Sequence, residues 1–204
     1  MRLFDERATR RVVVAVTKDD SQVNLLDEKG SQRVVLQMTK DGPGVFLDDE
    51  KGNSRVDLWV AKDGPKMRLA DEKGTQSVDV EISKDGPGVA LNDDKGNRRV
   101  VLTVTKDGPA VALNDEKAHP RAFVAVTKDG PGVTLLDEKT NMRVVLDVGE
   151  YGPFMALNDE KTTPRAVLGR MPLETVPRTG AEEITAPSSL TLFDKKGKVI
   201  WRAP

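Results

Sequence analysis

The stretch Arg99–Arg121, RVVLTVTKDGPAVALNDEKAHPR, is the unit from which almost the whole chain is built. Copies open at Arg11, Arg33, Arg55, Ser77, Arg99, Arg121, Arg143 and Arg165, each 22 residues after the last, with no insertion or deletion. A fixed period held this long marks a repeat architecture, in which each unit contacts mainly its neighbours. Counting from the opening residue, positions 2, 4, 6, 13 and 15 are apolar, as in Val100, Leu102, Val104, Val111 and Leu113. Alternation of period two is the signature of a strand with one apolar face, and helical spacing is nowhere sustained. Each unit therefore holds two short strands, near positions 1–7 and 12–17.

Both breaks between strands carry turn chemistry. The first, as in Lys40-Asp41-Gly42-Pro43-Gly44, contains Asp-Gly, a strong hairpin signal because glycine takes positive φ without steric cost. The second, as in Asp49-Glu50-Lys51-Gly52-Asn53, again has glycine late in the turn. Placing Asp41 and Gly42 at the centre of the first turn sets Met38 opposite Val45 and Leu36 opposite Leu47. Placing Lys51 and Gly52 at the centre of the second sets Leu47 opposite Val56 and Val45 opposite Leu58. Both turns then put every apolar residue on one face, which an odd register slip would not. Pro43 has no N–H to give, which argues for a wider loop at that point.

The repeat array is expected to run over residues 1–171, with 1–10 reading as the back half of a unit. Residues 172–187, beginning PLETVPRTGAEEITAP, form an inserted loop, and 188–204 form a terminal hairpin that completes the array. The fold class is all-β, an array of about 18 short strands in 22-residue repeats. The leading architecture is an antiparallel hairpin meander whose Val/Leu face packs on the same face of other chains in a β-prism-like assembly. The alternative is a two-sided parallel β-solenoid with one unit per coil. Asp-Gly turns favour hairpins over the solenoid. A closed barrel of that many strands would be too wide for Val and Leu to fill, and propeller blades need a longer period.

Composition narrows the function. Lys+Arg 32 against Asp+Glu 33 leaves a net charge of −1, so no basic excess draws nucleic acid or an anionic membrane. Aromatics are only 4%, which suits many small, similar layers rather than one large core. With no cysteine there are no disulfides and no thiolate sites. The start, MRLFDERATR, does not read as a signal peptide, and no segment reaches the ~18–20 apolar residues of a membrane-spanning helix. The compartment is not legible.

The tail LFDKKGKVIWRAP, behind units of the form RVVLTVTKDGPAVALND, resembles a family of bacterial repeat proteins of uncharacterised function. Asp194, Gly197, Lys198, Val199, Trp201, Ala203 and Pro204 carry the likeness to its Gly-Lys-Val-hydrophobic-Trp-x-Ala-Pro ending. The resemblance implies surface-exposed β-repeats, although Pro172–Pro187 departs from the pattern. The layout is also similar, more loosely, to the β-structured shafts of phage tail fibres. Neither likeness implies an activity.

No catalytic set is expected. The repeated Asp5, Asp27, Asp49, Asp71, Asp93, Asp115, Asp137, Asp159 and Asp194 read as turn formers, because a Ca²⁺ loop needs alternating oxygen ligands and a distant bidentate acid. His119 is the only histidine and falls in a turn. The DGPG segments are followed by no helix that would hold a phosphate. Thr17, Thr39, Thr105 and Thr127, at position 7, read as edge-strand threonines. Residues present in every copy serve the fold, so residues occurring once are the candidates for contact. These are Trp59, at an outward position, and Glu174, Arg178, Glu182 and Glu183 of the inserted loop, which fits the tendency of long loops on rigid repeats to carry binding. No cofactor, metal, nucleic acid or membrane insertion is expected. The expected role is a self-associating fibre, shaft or filament subunit, as a homotrimer or a longer polymer. The alternative is a monomeric scaffold presenting Trp59 and 172–187 to a glycan or protein.

Overall fold

The computed structural model describes residues 1–170, 172–173, 183–184 and 189–203. Contacts divide it into two units, Met1–Lys106 and Asp107–Pro204. The first holds strands Arg2–Phe4 (β1), Arg10–Val16 (β2), Ser21–Leu26 (β3), Gln32–Thr39 (β4), Gly42–Asp48 (β5), Ser54–Ala61 (β6), Gly64–Ala70 (β7), Ser77–Ser83 (β8), Gly86–Asn92 (β9) and Arg98–Thr105 (β10). The second holds Gly108–Asn114 (β11), Pro120–Thr127 (β12), Gly130–Leu136 (β13), Met142–Gly149 (β14), Gly152–Asn158 (β15), Pro164–Gly169 (β16), Pro172–Leu173 (β17), Glu183–Ile184 (β18), Leu190–Phe193 (β19) and Val199–Ala203 (β20).

In the first unit every strand pairs antiparallel with the next in sequence. The second unit repeats this from β11 to β16, then continues through β19 to β20, while β17 and β18 pair with each other. Each unit is thus a hairpin meander, and antiparallel neighbours exclude the parallel solenoid. Among the described residues nothing joins β1 to β10, or β11 to β20, so neither meander closes on itself.

The second type of turn has the expected register, with Leu47 opposite Val56 and Val45 opposite Leu58, and a bulge at Leu47/Asp48. The first type does not. Leu36 faces Val45, Met38 faces Pro43 and Thr39 faces Gly42, so Lys40 and Asp41 are the central residues and the register moves by two. An even shift keeps parity, and the apolar residues still share one face. The glycine belongs to the strand rather than the turn centre, and its backbone is pressed on the next strand. Gly42 has φ 126°, and a Cβ there would lie 1.9 Å from the Val60 carbonyl oxygen. No wider loop is needed for Pro43. In a two-residue hairpin the flanking Thr39–Gly42 pair exchanges the hydrogen bonds, so the next residue directs its nitrogen away from β4. The ladder to β6 begins only at Gly44.

Thr39 lies in an interior strand, not an edge. Its hydroxyl donates to the Gly42 carbonyl at 3.3 Å and accepts the Asp41 N–H at 3.2 Å, bracing the turn. Thr127 and Ser83 do the same in their copies.

The buried residues lie where the sequence pattern does not point. On the face opposite the Val/Leu positions, Val35 is 6% exposed and Ala90 5% in the first unit. In the second, Ala156, Val167 and Phe193 cluster, with Val145, Phe154 and Val199 packed against them. These are small or apolar residues flanked on the same face by long side chains such as Arg33, whose stem shields the surface as its guanidinium reaches the Asp48 carbonyl. The Val/Leu face is uncovered within each unit: Leu58 is 42% exposed, Val60 49%, Leu102 42% and Leu146 42%.

Glycines of the two turns should respond differently. At Gly86 (φ 122°) a Cβ would sit 1.9 Å from the Val104 carbonyl oxygen, whereas at Gly52 (φ 82°) nothing lies within 4 Å. Gly86→Ala is expected to cost about 2–4 kcal/mol and Gly52→Ala about 1 kcal/mol, read from urea unfolding by circular dichroism.

Candidate functional site

Three features stand out: the repeated aspartates, the apolar face, and the surroundings of Trp59. The aspartates organise the second type of turn. Asp27 Oδ1 accepts the N–H groups of Lys29 and Ser31, both at 2.9 Å, while Oδ2 lies 3.6 Å from Arg33 Nη1. The same guanidinium donates from Nε to the Asp48 carbonyl at 2.9 Å, tying one turn to the next hairpin. The pairing of Asp with the Arg six residues later recurs as Asp5–Arg11, Asp49–Arg55, Asp93–Arg99, Asp115–Arg121, Asp137–Arg143 and Asp159–Arg165. Both oxygens of each carboxylate are engaged in the fold. The turn-forming role expected of these aspartates is what the geometry shows. The second job, receiving the opening Arg of the next unit, was written in the sequence as that six-residue spacing.

Hydrogen bonding depresses the carboxyl pKa values. For Asp49 the Asn53 N–H has the largest influence, opposed by partial desolvation and reinforced by the Asn53 amide, the Lys51 N–H and Arg55, and the result is about 2. At Asp115 and Asp137 desolvation is the largest single influence and pushes upward. It is outweighed by the turn N–H groups and the Arg partner, which leave both at about 2. His119 is a turn residue as expected, its N–H donating to Asp115 Oδ1 at 3.0 Å.

Trp59 stands opposite the Val/Leu face, as its outward position in the sequence implies. It is half-buried, paired across β5–β6 with Gly44, and Gly44 is paired on its other side with Gln37. The space a side chain would take at Gly44 is filled by the ring of Phe46, whose atoms come within 2.5 Å of that point. Asp57 lies opposite Phe46 and accepts the Ser54 hydroxyl at Oδ1. Gln37, Gly44, Phe46, Asp57 and Trp59 line an open cleft of about 890 Å³. No protein-family model matches the chain, and no curated protein matches it. The likeness of the tail to bacterial repeat proteins therefore rests on its residues alone.

Of the remaining interaction candidates, Glu174, Arg178 and Glu182 lie outside the described residues. Glu183 is placed through its backbone, opposite Leu173 in the β17–β18 pair. Nothing described brings it to Trp59. Reading Trp59 alone missed Gly44 and Phe46. Their signal was the strand parity, which sets positions 12 and 14 beside position 5 of the next unit.

The depressed aspartate pKa values fix the sign of the acid response. The folded carboxyls titrate below the ordinary value of 3.8, so the folded state holds fewer protons through that range. This contribution to stability is complete above about pH 4–5 and is lost as pH falls from there through about 2. Urea midpoints should be flat in this contribution at higher pH and drop over that interval, and Asp49→Asn should reduce the drop.

Proposed function

We propose that this is a non-enzymatic structural protein that associates with further copies of itself through the Val/Leu face, as a fibre, shaft or filament subunit. The observation that carries this reading is the run of half-exposed Leu and Val across successive strands. In the first unit one row passes through Leu36, Val45, Leu58, Met67, Val80, Val89 and Leu102, each paired with the next. A second row passes through Val34, Leu47, Val56, Leu69, Val78, Leu91 and Val100. Pro65 opposite Val60 and Pro87 opposite Ile82 extend a third.

At ~4.8 Å between strands and ~7 Å between rows, this face of the first unit presents about 800 Å². That exceeds the few hundred Å² of a typical monomer's largest apolar patch. Two such faces together reach about 1,600 Å², the size of a standard stable interface. A copy of this chain is the occupant that matches row for row, because the 22-residue period gives both faces the same spacing. The second unit offers the same rows, for example Val124, Val133, Leu146, Met155 and Leu168.

Size-exclusion chromatography with light scattering should return a trimer or larger species at micromolar concentration. Leu58→Glu combined with Leu102→Glu should weaken association at least about 100-fold, which is about 2.7 kcal/mol, while circular dichroism is unchanged. A wild-type protein that stays monomeric throughout the accessible concentration range would overturn the reading.

A further inference from the structure

We propose that the cleft around Trp59 is a binding site for a neutral carbohydrate, with a pyranose ring laid on the indole. The argument begins with repetition. Residues found in all copies hold the array together, so a set of one-off residues meeting at one place needs another explanation. Position 5 is Ala15, Gln37, Glu81, Thr103, Ala125, Asp147 or Gly169 elsewhere, and tryptophan only at Trp59. Position 14 is phenylalanine only at Phe46. Gly44, Phe46 and Trp59 come from different positions of two units, and the pairing of β5 with β6 brings them together.

The chemistry of the lining selects the ligand. The gap that Gly44 leaves between Gln37 and Trp59 is filled by the Phe46 ring, so the indole and that ring together border an open cleft with polar groups around them. The C–H face of a pyranose is apolar and flat, and an indole offers it a large surface that loses little conformational freedom on binding. Sugar hydroxyls need both donors and acceptors at the edge of such a platform. Gln37 supplies an amide carrying both, and Asp57 keeps Oδ2 as an acceptor after receiving the Ser54 hydroxyl at Oδ1.

Charge decides among aromatic-binding ligands. Four aspartates line the cleft against Lys40, and the cations opposite Asp57 and Trp59 on the next strand, Arg68 and Lys66, are paired with Asp79 and with Asp63 and Glu81, so the balance disfavours nucleic acid, phosphorylated and sialylated or sulfated ligands. A quaternary ammonium would be attracted, but it gains most when rings enclose and desolvate it. Here the cleft is open, and Asp19, Asp20 and Asp41 are exposed. A neutral ring with many hydroxyls fits better.

Gln37, Gly44, Phe46, Asp57 and Trp59 lie on the face opposite the Val/Leu rows, with only Pro43 and Val60 of the Val/Leu face at the margin of the cleft, so the inference does not rest on self-association, and each can fail without the other. The test uses the full chain carrying Trp201→Phe, which leaves Trp59 as the only tryptophan. It is applied to an array of neutral gluco-, galacto-, manno-, xylo- and N-acetylhexosamine oligosaccharides, with sialylated and sulfated glycans and a trimethyl-lysine peptide alongside. Any neutral oligosaccharide that binds is titrated by tryptophan fluorescence in this protein. Calorimetry compares it with the Trp59→Ala chain.

The expected result is saturable binding of at least one neutral oligosaccharide with a change in Trp59 emission. Trp59→Ala should weaken it tenfold or more and Asp57→Asn a few-fold, with circular dichroism and particle size unchanged. Binding by no neutral oligosaccharide, binding that Trp59→Ala leaves intact, or preference for the anionic glycans or the trimethyl-lysine peptide would overturn the proposal.

Discussion

Backbone pairing of each strand with the next, in an even register that holds Val and Leu on one side, is the constraint from which the rest of the array follows, and it brings a turn-flanking glycine close to the carbonyl of the following strand. At Gly42, Gly64, Gly86, Gly108 and Gly130 a side chain would fall within 2 Å of a backbone oxygen. The reversal falls at the same place where Asp20 stands in for this glycine and at Gly152, which has no such neighbour, so the contact accompanies the turn, and the even count of residues between strands keeps Val and Leu on one side. Where Asp20 replaces this glycine, the ladder ends one pair sooner, at Val16 opposite Ser21. The Asp–Arg bridges act at the other end of the hairpins. One guanidinium joins a turn carboxylate to a carbonyl of the next hairpin, so the period is set by strand length and by a repeated electrostatic clasp.

A sheet one layer thick cannot hide two faces, and the chain divides its residues accordingly. On one side, small residues such as Ala90 and Ala156 are well covered, Ala156 by the cluster of Val167 and Phe193. On the other, branched aliphatic side chains stand half in water. This is the reverse of the usual arrangement, in which the most hydrophobic residues are the most buried. It is also why the apolar rows, and not any cleft, carry the functional reading of the array as a whole.

Most of the fold was legible in the sequence because the repeat multiplies each weak local signal. Period-two alternation located the strands, Asp-Gly and Lys-Gly located the reversals, and parity put Trp59 opposite Leu58 and Val60. Three things were not legible. The place of the glycine beside the turn centre, and its close approach to a strand 18 residues later, are cross-strand features that the Asp-Gly dipeptide does not encode. The identity of the covered face depends on cross-strand neighbours such as Val145, Ala156 and Val167, at positions the consensus does not mark as apolar. The cleft depends on a cross-strand meeting of residues whose individual identities look like noise in the consensus. Of the interaction candidates, only Trp59 is placed in full.

The two reversals also differ in what they can accept. At the Asp-Glu-Lys turns the left-handed position is glycine in some copies, yet Ala8, Ala118, Thr140 and Thr162 hold it at φ 59–65°. The aspartate carboxylate clamps the loop firmly enough to absorb that strain, and open space receives the methyl group. One rim of the meander can therefore drift in sequence from copy to copy, while at the opposite rim most copies keep the glycine, Asp20 being the exception. Over time such an array would acquire a more variable margin and a more constrained one, and new chemistry could be written along the first with the strand spacing kept by the pairing between strands.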